Sequence, residues 1–126
     1  MKSKNLSELE QELMNIVWEC GDCSVRGVLG KLKRKKPLAY TTVATILQRL
    51  YEKGLVARTN KDFVIRYSPK QSKEDYSRKM AKSFIARFMS VFGDAAIVSF
   101  AQSIETLPKE KKDYFLKLLE KHNENK

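Results

Sequence analysis

Apolar positions recur along this chain at two periods. Leu9, Leu13, Ile16 and Val17 stand three and four residues apart, the spacing of one helical face, with Trp18 near the end of the run. Ser7-x-x-Glu10 opens it as a capping box, the serine oxygen accepting an orphan amide while the glutamate reaches back. Gly21 supplies the stop. Ser24 caps a second expected helix whose apolar positions are Val25, Val28, Leu29 and Leu32. Gly27 and Gly30 weaken that helix by about 1 kcal/mol each relative to alanine, so it must lean on packing. Lys33-Arg34-Lys35-Lys36-Pro37 ends it, because adjacent positive charges resist a helix and proline removes a donor. A third helix is expected over residues 39–53, with Val43, Ile46, Leu47 and Leu50 as its buried stripe and Gly54 closing it. The pattern then turns strand-like. Residues 55–59 and 63–68 are rich in β-branched and aromatic side chains, and Asn60-Lys61-Asp62 between them has turn chemistry. Pro69 ends the second run.

The remainder reads as helical. Ser72 followed by Asp75 resembles another cap. Tyr76, Met80, Phe84 and Phe88 recur every four residues, with Ala81, Ile85, Met89 and Phe92 alongside. Gly93-Asp94 breaks the chain, a short apolar helix follows over 95–103, and Thr106-Leu107-Pro108 starts a last one carrying Phe115, Leu118 and Leu119. Residues 122–126 read as a frayed tail.

Helix, helix, turn, helix and hairpin is the order of a winged helix-turn-helix. The expected fold class is therefore mainly α (α+β). A winged helix-turn-helix occupies residues 1–70 and a helical dimerisation region residues 71–126. The dimerisation reading rests on surface. The helix over residues 76–92 is apolar nearly all round, and a helix of that kind must be covered on most sides. Two short helices in the same chain can hardly cover it, whereas a second copy can, and a symmetric pair also supplies two reading heads for a palindromic site. The residues expected at that interface are Tyr76, Met80, Phe84, Phe88, Phe92, Ile97, Phe100, Phe115, Leu118 and Leu119. An ordinary intrachain core is the alternative.

Charge sharpens the picture. The 126 residues hold 25 basic and 15 acidic side chains, a net of +10. Residues 31–69 alone hold ten basic residues against Glu52 and Asp62. Such a local excess is an electrostatic footprint for a polyanion, although a solvated face, an acidic protein or a membrane surface would also suit it. The length excludes a multidomain enzyme. The longest apolar stretch, residues 95–101, is too short to span a membrane and contains Ser99, and no signal-peptide block opens the chain, so a cytoplasmic location is expected.

With the third helix's apolar stripe set at the back, Thr41, Ala44, Thr45, Gln48 and Glu52 face forward, and Thr42 and Arg49 lie on the flank. Short neutral side chains allow close approach to a major groove. Threonine offers a hydroxyl and a methyl, Gln48 suits an adenine edge, and Arg49 suits a phosphate. A face meeting only water would usually be dominated by charge. Lys61 at the hairpin tip, with Arg58 and Arg66 on the strands, would lie against phosphates. Glu52 counts against the groove reading but lies at the helix's far end.

Catalysis is not supported. Cys20-Gly21-Asp22-Cys23 lacks the further ligands zinc needs and the strand a thioredoxin-like site needs, and reads as two incidental thiols at a helix junction. His122 is the lone histidine, and Gly27 and Gly30 make no phosphate loop. No metal or cofactor is expected. Four functional classes remain: a sequence-specific dimeric repressor, a nonspecific nucleic-acid-binding winged helix, a module for an acidic protein, and a thiol redox sensor.

Tyr40-Thr41-Thr42-Val43-Ala44-Thr45-Ile46-Leu47-Gln48-Arg49-Leu50, then Lys53-Gly54-Leu55-Val56, then Arg66-Tyr67-Ser68-Pro69 resemble the penicillinase-repressor family (BlaI/MecI type), and the resemblance runs from about Leu6 to Leu119. It implies a homodimeric repressor on inverted-repeat operators of β-lactamase or related resistance genes, with double-stranded DNA as partner. It also implies release through a membrane sensor protease that cuts the dimerisation region. By motif, the groove-reading positions are Thr41, Thr42, Ala44 and Thr45, with Arg49 on phosphate. Two positions depart from the family pattern. Ala44 stands where a lysine is common, and the candidate cleavage pair is Ser99-Phe100 where asparagine–phenylalanine is common. No cysteine follows Cys23, so the metal motif of related copper-responsive repressors is lacking.

Overall fold

A computed structural model describes residues 6–33 and 36–124. The chain divides into two compact units, Met1–Arg78 and Lys79–Lys126.

The first unit begins with α1 (Glu8–Cys20), and its start is the expected capping box. The Ser7 N–H donates to Glu10 Oε1 at 3.0 Å, and the Glu10 N–H donates to Ser7 Oγ at 3.2 Å. Gly21 ends the helix at φ 80°, where a Cβ would be strained. A two-residue strand, β1 (Cys23–Ser24), leads into α2 (Val25–Lys31), capped by Ser24 Oγ on the Gly27 N–H. The helix stops at Lys31 with Leu32 as its C-cap. Arg34 and Lys35, from the basic run expected to end it, lie outside the described residues. Next come α3 (Tyr40–Glu52), β2 (Val56–Lys61) and β3 (Val64–Pro69).

The three strands form one antiparallel sheet in the order β1-β3-β2. The third strand was not expected. Cys23 and Ser24 are extended because they pair with Tyr67 and Arg66. The hairpin also differs from expectation. Asn60 and Lys61 join the ladder, opposite Ile65 and Val64, which leaves Asp62 and Phe63 as a two-residue loop. Both have positive φ, 53° and 64°. That is the primed-turn pattern whose backbone twist matches the strands.

The core sits where α1, α2 and α3 meet the sheet. Leu13, Met14, Val17, Val28, Val43, Leu47, Leu50 and Val56 are fully buried there. Burial of each such side chain stabilises by roughly 1.5–3 kcal/mol. Residues Val43, Ile46, Leu47 and Leu50 are the buried set of α3, as its periodicity requires. Cys20 and Cys23, expected as separate thiols, are joined in a disulfide across the α1–β1 turn.

The helix α4 (Lys73–Phe92) starts in this unit, with the Asp75 N–H donating to Ser72 Oγ. Trp18 Nε1 donates to the Gln71 carbonyl at 3.0 Å, and the Trp18 and Tyr76 rings lie 5.4 Å apart. Tyr76, grouped by the sequence with the dimerisation residues, is instead buried here by Trp18.

The second unit holds the rest of α4, then α5 (Asp94–Ile104) and α6 (Lys109–Glu124). Gly93, at φ 59°, makes the corner between α4 and α5. The last helix runs to Glu124, so His122 to Glu124 are helical rather than a loose tail, while residues 125–126 lie outside the described residues. Among this unit's described residues Ala96 is buried, and large apolar side chains are not. Phe84 and Phe92 are each 59% exposed, and Ile97 is 56% exposed.

Candidate nucleic-acid interface

The buried stripe of α3 fixes what its other side presents. Thr41, Thr42, Thr45 and Arg49 are exposed, and Ala44 and Gln48 are half-buried. The Thr45 hydroxyl donates to the Thr41 carbonyl at 2.8 Å. Its hydrogen is thereby used within the helix, and its oxygen remains an acceptor towards solvent. The face is thus a short neutral stripe with one cation, Arg49, at its edge and Glu52 at its far end.

Three expected groove or phosphate contacts, Gln48, Arg58 and Arg66, are already engaged. Gln48 Oε1 accepts from Arg58 Nη1 at 2.5 Å, and Gln48 Nε2 lies 3.5 Å from Glu52 Oε1. The Arg58 guanidinium also sits 4.7 Å from the centroid of the Tyr51 ring. Gln48 therefore joins α3 to the base of β2 and is not a free amide for an adenine edge. Arg66 is committed as well: its Nε donates to Asp22 Oδ2 at 3.1 Å and its Nη2 to the Asp22 carbonyl at 2.9 Å. This clamps β3 to the turn after α1, so Arg66 is a strut of the wing. Lys61 remains exposed at the end of β2.

Arg26 and Tyr40 were missed by the sequence reading. The Arg26 guanidinium stands 5.3 Å from the centroid of the Tyr40 ring, at the N-terminal end of α3. The two line a cleft of about 350 Å³ with Ala44, Phe63, Ile65 and Tyr67. A cation held on an aromatic face beside the open end of a helix suits a phosphate oxygen. Their partnership spans two helices, and no local spacing signals it.

The far end of α3 is fixed by a buried carboxylate. Glu10 is 7% exposed, and its Oε2 accepts from Lys53 Nζ at 2.8 Å. Burial alone pushes the Glu10 carboxyl up. The Lys53 hydrogen bond, the Ser7 backbone and hydroxyl bonds and the Lys53 charge outweigh it, so the net shift is below the usual carboxylate range. One side chain therefore caps α1 and holds the C-cap of α3.

In the second unit, Phe84, Phe88, Ile97, Phe100, Phe115 and Leu119 line an open apolar groove of about 500 Å³. Met80 and Leu118 are exposed too. Ser99 and Phe100 lie inside α5, where the Ser99 carbonyl accepts from Ser103 Oγ at 2.9 Å. Among the described residues no helix is long and apolar enough to cross a membrane, and no group of three potential metal ligands comes together.

The chain is 32% identical over 105 residues to the transcriptional regulator BlaI of Mycobacterium tuberculosis, an alignment covering 82% of this chain and 76% of that protein. It is 26% identical over 109 residues to the penicillinase repressor of Staphylococcus aureus, covering 86% of each. The solution structure of the DNA binding domain of the repressor BlaI superposes with a TM-score of 0.51 at 27% identity, covering 60% of this chain and 94% of that one. The sequence profile of the penicillinase repressor family matches residues 6–121. On that match, over most of its length, the chain belongs to the penicillinase repressor family.

Proposed function

We propose that the chain is a homodimeric, sequence-specific DNA-binding repressor acting on palindromic operators, as its relatives' names suggest for resistance genes, and that it works in the cytoplasm. The carrying observation is the exposed face of α3. Thr41, Thr42 and Thr45 stand out on a helix whose opposite side is the centre of the core. In this reading α3 enters the major groove, where threonine hydroxyls and methyls, with Ala44, meet base edges. Arg49, Arg26 and Lys61 take phosphates and fix the register. Arg58 and Gln48 brace the wing against α3. The solved DNA binding domain of the repressor BlaI, similar over 60% of this chain, supports a DNA-binding reading. We assign no catalytic role.

The second unit supplies the pairing. A stable interface buries apolar surface at its centre, and the groove formed by Phe84, Phe88, Ile97, Phe100, Phe115 and Leu119 offers such a surface. Two copies joined there present two reading helices to two half-sites. A sensor protease that released repression by cutting at Ser99-Phe100 would first have to unwind α5 at that bond.

The test is a titration of the full-length chain against an inverted-repeat duplex enriched from a randomised pool, with a scrambled duplex as competitor across a salt series. A sequence-specific repressor prefers its site by roughly a thousandfold or more. Equal affinity for both duplexes, fading together as salt rises, would instead indicate nonspecific phosphate binding.

A further inference from the structure

The loop between β2 and β3 holds a side chain that folding alone does not explain. Phe63 is fully exposed and has φ 64°, next to Asp62 at 53°. A two-residue loop of this kind favours asparagine or glycine, which tolerate positive φ. A phenylalanine there leaves both backbone strain and an aromatic ring facing water. Val64 and Ile65, which follow it, are also exposed, so the end of the hairpin is apolar while Lys61 beside it is cationic. A strained residue of the wrong type at an exposed tip points to function.

Its neighbours narrow the choice. Phe63 lines the cleft whose other wall is Arg26, Tyr40 and Ala44 of α2 and α3. Were α3 to enter the major groove, the cleft with Arg26 on one wall would suit the sugar–phosphate ridge, and the hairpin on its other wall would face the adjacent minor groove. Proteins that enter the minor groove use apolar side chains as wedges at base steps and so bend the duplex.

We propose that Phe63 enters the minor groove flanking each half-site and partly unstacks a base step there. This deepens the DNA-binding reading and rests on it. Lys61 takes the phosphates bordering the wedge. The operator's flanks then carry sequence preference without hydrogen bonds to bases, because pyrimidine–purine steps unstack most easily.

The experiment uses the full-length chain and the duplex it enriches from a randomised pool, with fluorescent aminopurine placed at successive flanking positions. Aminopurine brightens where stacking is lost. Wild-type protein is expected to raise the signal at one position on each flank. Phe63→Asn suits positive φ and removes the ring. Its thermal midpoint is expected at or above that of wild type, its affinity roughly tenfold lower, and its fluorescence rise absent. Phe63→Leu, still apolar, is expected to retain most of both signals. Wild-type affinity in Phe63→Asn, or a wild-type complex with no brightened flank, overturns the wedge while leaving the DNA-binding reading in place. A wild-type chain that enriches no duplex overturns both.

Discussion

Replacing Glu10 with glutamine isolates one charge beneath α3. The carboxylate caps α1 through Ser7 and accepts a 2.8 Å hydrogen bond from Lys53. Glutamine keeps an acceptor for the cap and loses the ion pair. The Glu10 side chain is 9% exposed and that of Lys53 20%, so the pair is largely shielded from water. A hydrogen bond to a charged group contributes about 1.5–3 kcal/mol. We expect Glu10→Gln to cost about 1–2 kcal/mol. Glu10→Ala, which also removes the cap, should cost about 2–4 kcal/mol. Trp18 is the single tryptophan and lies in the same unit, bonded to the Gln71 carbonyl, so its fluorescence follows this unit through a urea titration. The acid limb gives a second readout. The folded carboxyl titrates below its unfolded value near 4.3, so its contribution is complete above that pH and is lost as pH falls through the folded value. Glu10→Gln should therefore flatten the wild-type loss of stability below about pH 5. A variant within 0.5 kcal/mol of wild type, with an unchanged acid limb, would refute the assignment of Glu10 as the anchor of α3.

Three further outcomes are expected. Arg49→Ala should weaken binding to enriched and scrambled duplexes by similar factors and make the salt slope shallower by about 0.9 for each phosphate that Arg49 neutralises, measured by anisotropy over a salt series. Leu47→Ala removes a fully buried side chain of α3 and should cost about 2–5 kcal/mol in the same urea titration. Phe84→Asp places a charge in the apolar groove of the second unit; sedimentation is expected to show wild type as a dimer and the variant as a monomer, with the first unit's urea midpoint unchanged.

The elements that periodicity marked were read correctly because their own residues determine them. α1 opens on the Ser7–Glu10 box, and α3 buries Val43, Ile46, Leu47 and Leu50. Features set by distant partners were not legible. β1 is two residues long and is a strand only because β3 lies beside it. The loop moved to Asp62 and Phe63 because the ladder extends to Lys61, whereas phenylalanine carries no turn signal. At the interface, the threonine face followed from helical geometry. The engagement of Gln48 by Arg58, of Arg66 by Asp22 and of Arg26 by Tyr40 could not, since those pairs lie on different elements. Tyr76 fitted the four-residue pattern of the second unit, yet the indole of Trp18 claims it for the first.

The claim that α3 reads bases through its threonine face is tested most directly by comparing the duplexes that wild type and Thr45→Val each enrich from one randomised pool. Valine keeps the shape of the side chain and removes the oxygen. Wild type is expected to enrich an inverted repeat, and the variant the same repeat with selectivity lost at one symmetry-related position per half-site. Identical motifs from both proteins, or a wild-type pool with no inverted repeat, would contradict it.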